Sequence, residues 1–309
     1  MAENKIPNDG LNSKAEKEKT QNKKFLFSSF FSSFSLLIWL IRLLVFSLLT
    51  LVTQIGGIIY VLCLPLFRFS KNLGLSRAWF SVLRVFIFSL FYVLITFYLV
   101  PIVAESNGRV PMPYGNENPV IREHNFLTVL LNRRYVVNNL RSMVELAAQK
   151  TAKKYPGTIT EYLDCGFPFG NDYVMRPHIS HNDGRKIDIS FFYFETETKQ
   201  RSNERPCWLG YGACEVPQPG EQDQPTYCAQ KGNWQYSFLK RLTYVNKNLS
   251  FDAPRTRDFA LFLLSDNRLQ SIMIEPHLQT RLGLQKSLKL KSPPCNSVRH
   301  DDHVHVTIY

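Results

Sequence analysis

Apolar positions in this chain fall into two unbroken runs, followed by shorter periodic groups. Residues 43–67 and residues 85–104 contain no charged side chain. A helix needs about 20 apolar residues to cross a hydrocarbon core, and each run meets that length. A cleaved secretory signal fits poorly, because the first 24 residues are polar and the apolar stretch is far longer than a signal's central region. The expectation is a retained membrane anchor.

Further on, the pattern becomes periodic. Val136, Leu140, Val144 and Ala147 recur at steps of three and four, which predicts a helix over residues 135–154 that stops at Pro156-Gly157. Residues 186–194 are aromatic and β-branched and predict a strand. A helix over 255–264, with Asp252 or Ser250 near its start, precedes strands at 269–274 and 304–309. Residues 200–235 are rich in Gly and Pro and predict a long excursion. Runs of helix and strand in this mixture indicate an α+β fold. The chain divides into a disordered basic tail (1–33), a helical transmembrane segment (34–104), a Gly/Pro/Asn linker (105–124) and a folded domain (125–309).

Charge bears on partners and topology. The net charge is +12, but it is dispersed along the chain. No nucleic-acid motif accompanies it, so a nucleic-acid partner is not expected. Lys14, Lys17, Lys19, Lys23 and Lys24 precede the first apolar run, and Arg68, Lys71 and Arg77 separate the two runs. If both runs span, the lysine-rich tail breaks the positive-inside preference. If the first run turns back near Thr53-Gln54-Ile55-Gly56-Gly57, both basic segments stay inside. Either route places the C-terminal domain outside the cytoplasmic membrane, on its periplasmic or extracytoplasmic side. Five cysteines lie in that domain and none makes a Cys-x-x-Cys pattern. They predict at most two disulfides and no zinc finger.

The chemistry concentrates in two clusters, residues 177–188 and 299–306, which hold five of the seven histidines. Side chains two apart on a strand face the same way, so His303 and His305 point into one site. His181 and Asp188 are separated by Gly184, which permits a loop to deliver the first and the next strand the second. Two histidines and a carboxylate on one metal leave a position for water. His124, His277 and His300 are expected at the surface. Trp208, Tyr211 and Trp234 are candidates for a substrate groove, with loop packing the stronger expectation.

The pattern His178-x-Ser180-His181-x-x-Gly184-x-x-x-Asp188, followed by Asp302-His303-x-His305-Val306, resembles the penicillin-insensitive murein endopeptidases. These belong to a wider group of zinc peptidases with the D-Ala-D-Ala peptidases and the hedgehog domain. The likeness covers residues 135–309. It implies a small antiparallel sheet with flanking helices, Zn2+ held by His181, Asp188 and His305, His303 as general base, and His178 beside the substrate. The implied substrate is the peptide cross-link of peptidoglycan, with membrane lipid the other partner. Lys186 stands where the family has an acidic residue, and Asn182 where it has Gln. The alternatives are a D-Ala-D-Ala carboxypeptidase or dipeptidase, which tends to carry Glu in place of His303, and a non-catalytic zinc-binding module, which needs no base.

Overall fold

The computed structural model describes residues 36–176, 178–233 and 244–309. Helix α1 (Leu36–Thr53) ends where Gln54 takes a left-handed backbone, φ 66°. The chain resumes as α2 (Gly56–Phe69) after this sharp elbow. A Cβ on Gly57 would lie 2.6 Å from the carbonyl oxygen of Phe46. Eleven residues of straight helix would separate those positions by about 16 Å, so α2 must double back against α1. Only glycine permits that approach. The break thus falls within the Thr53–Gly57 segment where the sequence locates a turn.

Helix α3 (Arg77–Ser106) packs beside α2. Ile55, Ile59, Cys63 and Phe67 form a stripe at four-residue steps that meets Ile87, Phe88, Ile95 and Val100. Within α3 the residues Ile95–Leu99 form a π-helical turn just before Pro101, whose ring removes a backbone donor. Among the described residues, two helices, α1 and α3, are long and apolar enough to cross a membrane. With 14 residues, α2 rises only about 21 Å, short of a hydrocarbon core of about 30 Å.

Past the helices lies a mixed α/β domain with small sheets. Its strands are β1 (Val110–Pro111), β2 (Ile121–Glu123), β3 (Tyr135–Val136), β4 (Thr160–Tyr162), β5 (Lys186–Ser190), β6 (Tyr193–Glu195), β7 (Arg201–Ser202), β8 (Leu249–Phe251), β9 (Leu269–Met273), β10 (Leu290–Lys291) and β11 (His303–Ile308). The main sheet runs β10-β9-β11-β5-β4-β2. Its four inner strands pair antiparallel, while β10 and β2 add on parallel at the two edges, so the sheet is mixed where an antiparallel one was expected. β1 pairs with β3, and β7-β6-β8 form a separate small sheet.

Alternation along β5 and β11 sorts the two faces of the main sheet. Ile187 and Ile189 of β5, with Val304, Val306 and Ile308 of β11, join the core. That core is completed by α5 (Asn138–Lys154) through Leu140, Met143, Val144 and Ala147, and by α7 (Ala253–Leu264) through Phe259, Ala260 and Leu263. The shorter helices α4 (Phe126–Leu130), α6 (Gln224–Gln230) and α8 (Pro276–Arg281) lie in the connections. Asp252 caps α7 by accepting from the Arg255 N–H at 3.0 Å, which fixes the start that the sequence left between Asp252 and Ser250.

Three further expectations change. The helix predicted from residue 135 starts at Asn138, because Tyr135 and Val136 are taken by β3. The strand predicted over 186–194 is two strands in different sheets, parted at Phe191-Phe192. Residues 105–124, expected as a linker, supply β1 and β2 and bury Met112 and Ile121 completely.

Candidate metal centre

The face of β5 and β11 opposite the helices carries the polar residues. Asp188 and His305 are direct cross-strand partners, so the two strands alone bring them together. His305 Nδ1 lies 2.8 Å from Asp188 Oδ1. The loop between β4 and β5 adds His181, whose Nε2 is 3.2 Å from His305 Nδ1 and 3.3 Å from Asp188 Oδ1. Three donor atoms thus form a triangle with edges of 2.8 to 3.3 Å. Ligands bonded at about 2.05 Å to a tetrahedral ion stand about 3.3 Å apart, which two of these edges match, while the His305–Asp188 edge is a hydrogen bond.

Protonation in the triangle suits a cation. The Cys165 carbonyl sits 2.8 Å from His181 Nδ1. A carbonyl only accepts, so Nδ1 carries a proton and Nε2 is the nitrogen turned to the triangle. Burial pulls His305 down to about 4, keeping it neutral despite Asp188. Burial opposes ionisation of Asp188, but His181, His303 and His178 overcome it and hold the carboxylate well below its usual range. Metal ligands need these states, a neutral imidazole and a charged carboxylate.

His178 joins from the same loop. Its Nδ1 lies 3.3 Å from Asp188 Oδ2 and 3.0 Å from Asp164 Oδ2. His178, His181 and Asp188 form a buried group, one donor atom each within 4.8 Å, that can hold a metal ion. His305 stands beside this group, in contact with both His181 and Asp188.

His303 stands apart from the triangle and from this group. Its Nδ1 is 2.5 Å from Asp302 Oδ1, and Asp302 Oδ2 in turn accepts the Gly212 N–H at 2.5 Å. His303 Nε2 is buried 3.6 Å from Asp188 Oδ1 and has no hydrogen-bond partner. Burial works against its charge, but Asp188 and Asp302 outweigh it and raise the ring to about 9. A buried nitrogen beside the triangle with nothing to bond is the place where a reacting molecule would be met.

No protein-family model and no curated protein matches this chain. The functional reading therefore stands on this geometry and on the motif.

Several site residues carry no sequence signal of their own. Tyr211 donates to Asp188 Oδ2 at 2.9 Å and accepts from the Asp164 N–H at 3.1 Å. Burial, then Asp164 and Asp188, push its hydroxyl well above the normal range, so it remains a donor. It belongs to the site and not to loop packing. Trp208 is exposed, and Trp234 lies outside the described residues. The three remaining histidines are buried, contrary to expectation. His124 bridges Glu161 and the Cys207 carbonyl, each at 2.8 Å. His277 meets the Glu215 carbonyl at 2.6 Å. His300 packs its ring 4.8 Å from that of His303 and 5.5 Å from that of His305, under the metal-site face. Of the five cysteines in the domain, Cys228 and Cys295 form one disulfide and the other three are free.

Proposed function

We propose that this chain is a membrane-anchored zinc peptidase, with zinc on His181, Asp188 and His305, that hydrolyses the peptide cross-links of peptidoglycan. The observation that carries the metal is the convergence of three donor atoms, His181 Nε2 standing 3.2 and 3.3 Å from the other two, about the spacing of tetrahedral zinc ligands. Zinc would supply Lewis acidity, acidifying water and polarising the amide carbonyl.

The chain's own groups do the rest. His303 is held protonated by Asp188 and Asp302, so Nε2 would serve as the base only where a cation on Asp188 offsets that charge; it would then take the proton of the attacking water and afterwards give it to the leaving amine. Asp302 on Nδ1 fixes the tautomer and stabilises the imidazolium that forms. His178, in contact with the Tyr211 hydroxyl at 3.4 Å, stands where the carbonyl oxygen can be held, while the Tyr211 proton goes to Asp188. The Asp302–His303 pair favours an enzyme over a silent zinc module, because a module that only binds zinc has no use for an oriented base.

The apolar helices support membrane attachment, and the Cys228–Cys295 disulfide supports an oxidising compartment for the domain. The small antiparallel core and the motif support the fold of the zinc-peptidase group that includes the hedgehog domain. The test is metal analysis of the full-length chain, followed by digestion of purified sacculi with and without chelator. One zinc per chain and chelator-sensitive release of cross-linked peptides are expected. A chain that binds no zinc sinks the reading.

A further inference from the structure

A cavity of about 220 Å³ opens beside the site, with His178 and Tyr211 in its inner wall. Four leucines, Leu127, Leu131, Leu163 and Leu209, line the rest together with a few polar groups. Four of those polar groups are already engaged. His124 bridges Glu161 and the Cys207 carbonyl. The Asn125 carboxamide caps the Leu127 N–H and donates to the Trp208 carbonyl. Arg133 and Asp164 form an ion pair at 2.8 Å. What the cavity offers an incoming group is leucine surface. An apolar cavity of about 150 Å³ holds a benzene ring, so this one has room for a phenyl or isobutyl group.

Its position relative to the helices is equally specific. The α4 helix that supplies Leu127 stands on α3. Tyr92 donates to the Leu130 carbonyl at 2.5 Å, and the Phe126 and Phe97 rings stack with centroids 6.3 Å apart. The uncharged run of α3, residues 85–104, is long enough to cross a hydrocarbon core of about 30 Å, and Phe97 lies in its second half. Around the mouth, Phe126, Leu127, Trp208 and Leu209 are all exposed, the kind of rim found at a bilayer surface.

We propose that this cavity is a specificity pocket for a large apolar side chain, leucine or phenylalanine in size, of a peptide presented at the bilayer surface. The proposal rests on the zinc-peptidase reading of the metal site alone: the stem peptides of peptidoglycan carry no apolar side chain of this size, so the pocket points to an apolar peptide substrate in place of the cross-link. The test uses zinc-loaded full-length chain in phospholipid nanodiscs and two peptide hydroxamates that differ only in a leucine or alanine side chain. The leucyl compound should bind at least about tenfold tighter, from three additional buried carbons. Leu209→Trp, which fills the pocket from its exposed rim, should erase that advantage and leave alanyl binding unchanged, which also shows that the variant is folded. A membrane-anchoring acyl tail on the leucyl compound should tighten it further through local concentration. Equal binding of the two compounds to the wild type overturns the pocket, as does equal weakening of both by Leu209→Trp. No gain from the tail overturns the bilayer placement. If the chain takes up no zinc, the metal reading fails; if it takes up zinc and neither compound binds, the pocket is overturned and the metal reading stands.

Discussion

Gln54 and Phe169 are paired through both ends of one amide. The Gln54 side chain donates to the Phe169 carbonyl at 2.6 Å and accepts the Phe169 N–H at 3.0 Å. Gln54 is the elbow between α1 and α2, and Phe169 lies on the loop that delivers His178 and His181. Tyr173, on the same loop, donates to the Thr50 carbonyl of α1 at 2.6 Å. Just beyond α3, buried Arg109 donates to the carbonyls of Phe167, Gly170 and Asn182 at 2.7, 2.5 and 3.1 Å. Gly166 and Gly184 admit this guanidinium; a Cβ on either would sit 3.1 or 3.0 Å from it. The metal-site loop is thus held by the helical segment on one side and Arg109 on the other.

Zinc affinity should therefore depend on residues that never touch the metal. Arg109→Gln leaves buried carbonyls without their charged donor, each such bond being worth about 1.5–3 kcal/mol. The expected result is zinc binding weakened by tenfold or more in a chelator competition. Gln54→Leu should do the same more mildly. Unchanged zinc affinity in both variants would show that the loop holds its shape without the helices.

His303 and Asp188 should separate by phenotype. Asp188→Asn removes the charge shared by the whole triangle, so zinc and cleavage are both lost. His303→Ala should keep zinc and abolish cleavage. Asp302→Asn should keep zinc and slow cleavage by about 10²-fold or more, the usual scale for positioned acid–base catalysis. Asp302 helps raise the His303 pKa, so its neutralisation lowers that pKa. The acid limb of the pH–rate profile should then move to lower pH. A slower variant with an unmoved limb would mean that Asp302 does not act through His303.

Much of this site was legible because strand periodicity is local. His303 and His305 are two apart, and that alone puts them on one face. What was not legible depends on distant partners. Tyr211 reaches Asp188 from a Gly-flanked loop, and nothing near residue 211 encodes that meeting. His124 and His277 are buried by carbonyls 83 and 62 residues away, whereas their own neighbours look like surface. The division of β5 from β6 was hidden because Phe191 and Phe192 both favour strand, while tertiary packing decides which sheet each flank joins.

Glu275 sets a pH dependence separable from the metal. It is fully buried and accepts the His300 N–H at 3.3 Å. Burial, reinforced by Asp301, raises its carboxyl from 4.5 to about 8. The folded state therefore favours the protonated acid. This contribution is complete below pH 4.5 and is lost as pH rises from there through about 8. Glu275→Gln keeps an acceptor and cannot ionise. Its stability relative to wild type should climb with pH across that window, by on the order of a few kcal/mol in total. A difference that is flat with pH in denaturation series would contradict the raised value.

The cysteines make the last prediction, and it concerns which thiols react. The sequence allows two bridges in the domain, but the structure pairs only Cys228 with Cys295 and leaves Cys63, Cys165, Cys207 and Cys214 free. Burial pushes Cys207 up to about 11, and Cys165 and Cys214 well above the ordinary thiol range. A thiol reacts as its thiolate, so these three should be inert at neutral pH in the folded chain. Under denaturing, non-reducing conditions a thiol reagent should count four groups, and six after reduction. The bridge joins α6 to the segment just ahead of β11 across 67 residues of sequence. Loop-closure entropy assigns such a crosslink about 4 kcal/mol. Cys295→Ser should therefore lower the melting temperature clearly and expose a fifth thiol. A count of two in the unreduced, denatured wild type would mean that a second bridge forms after all.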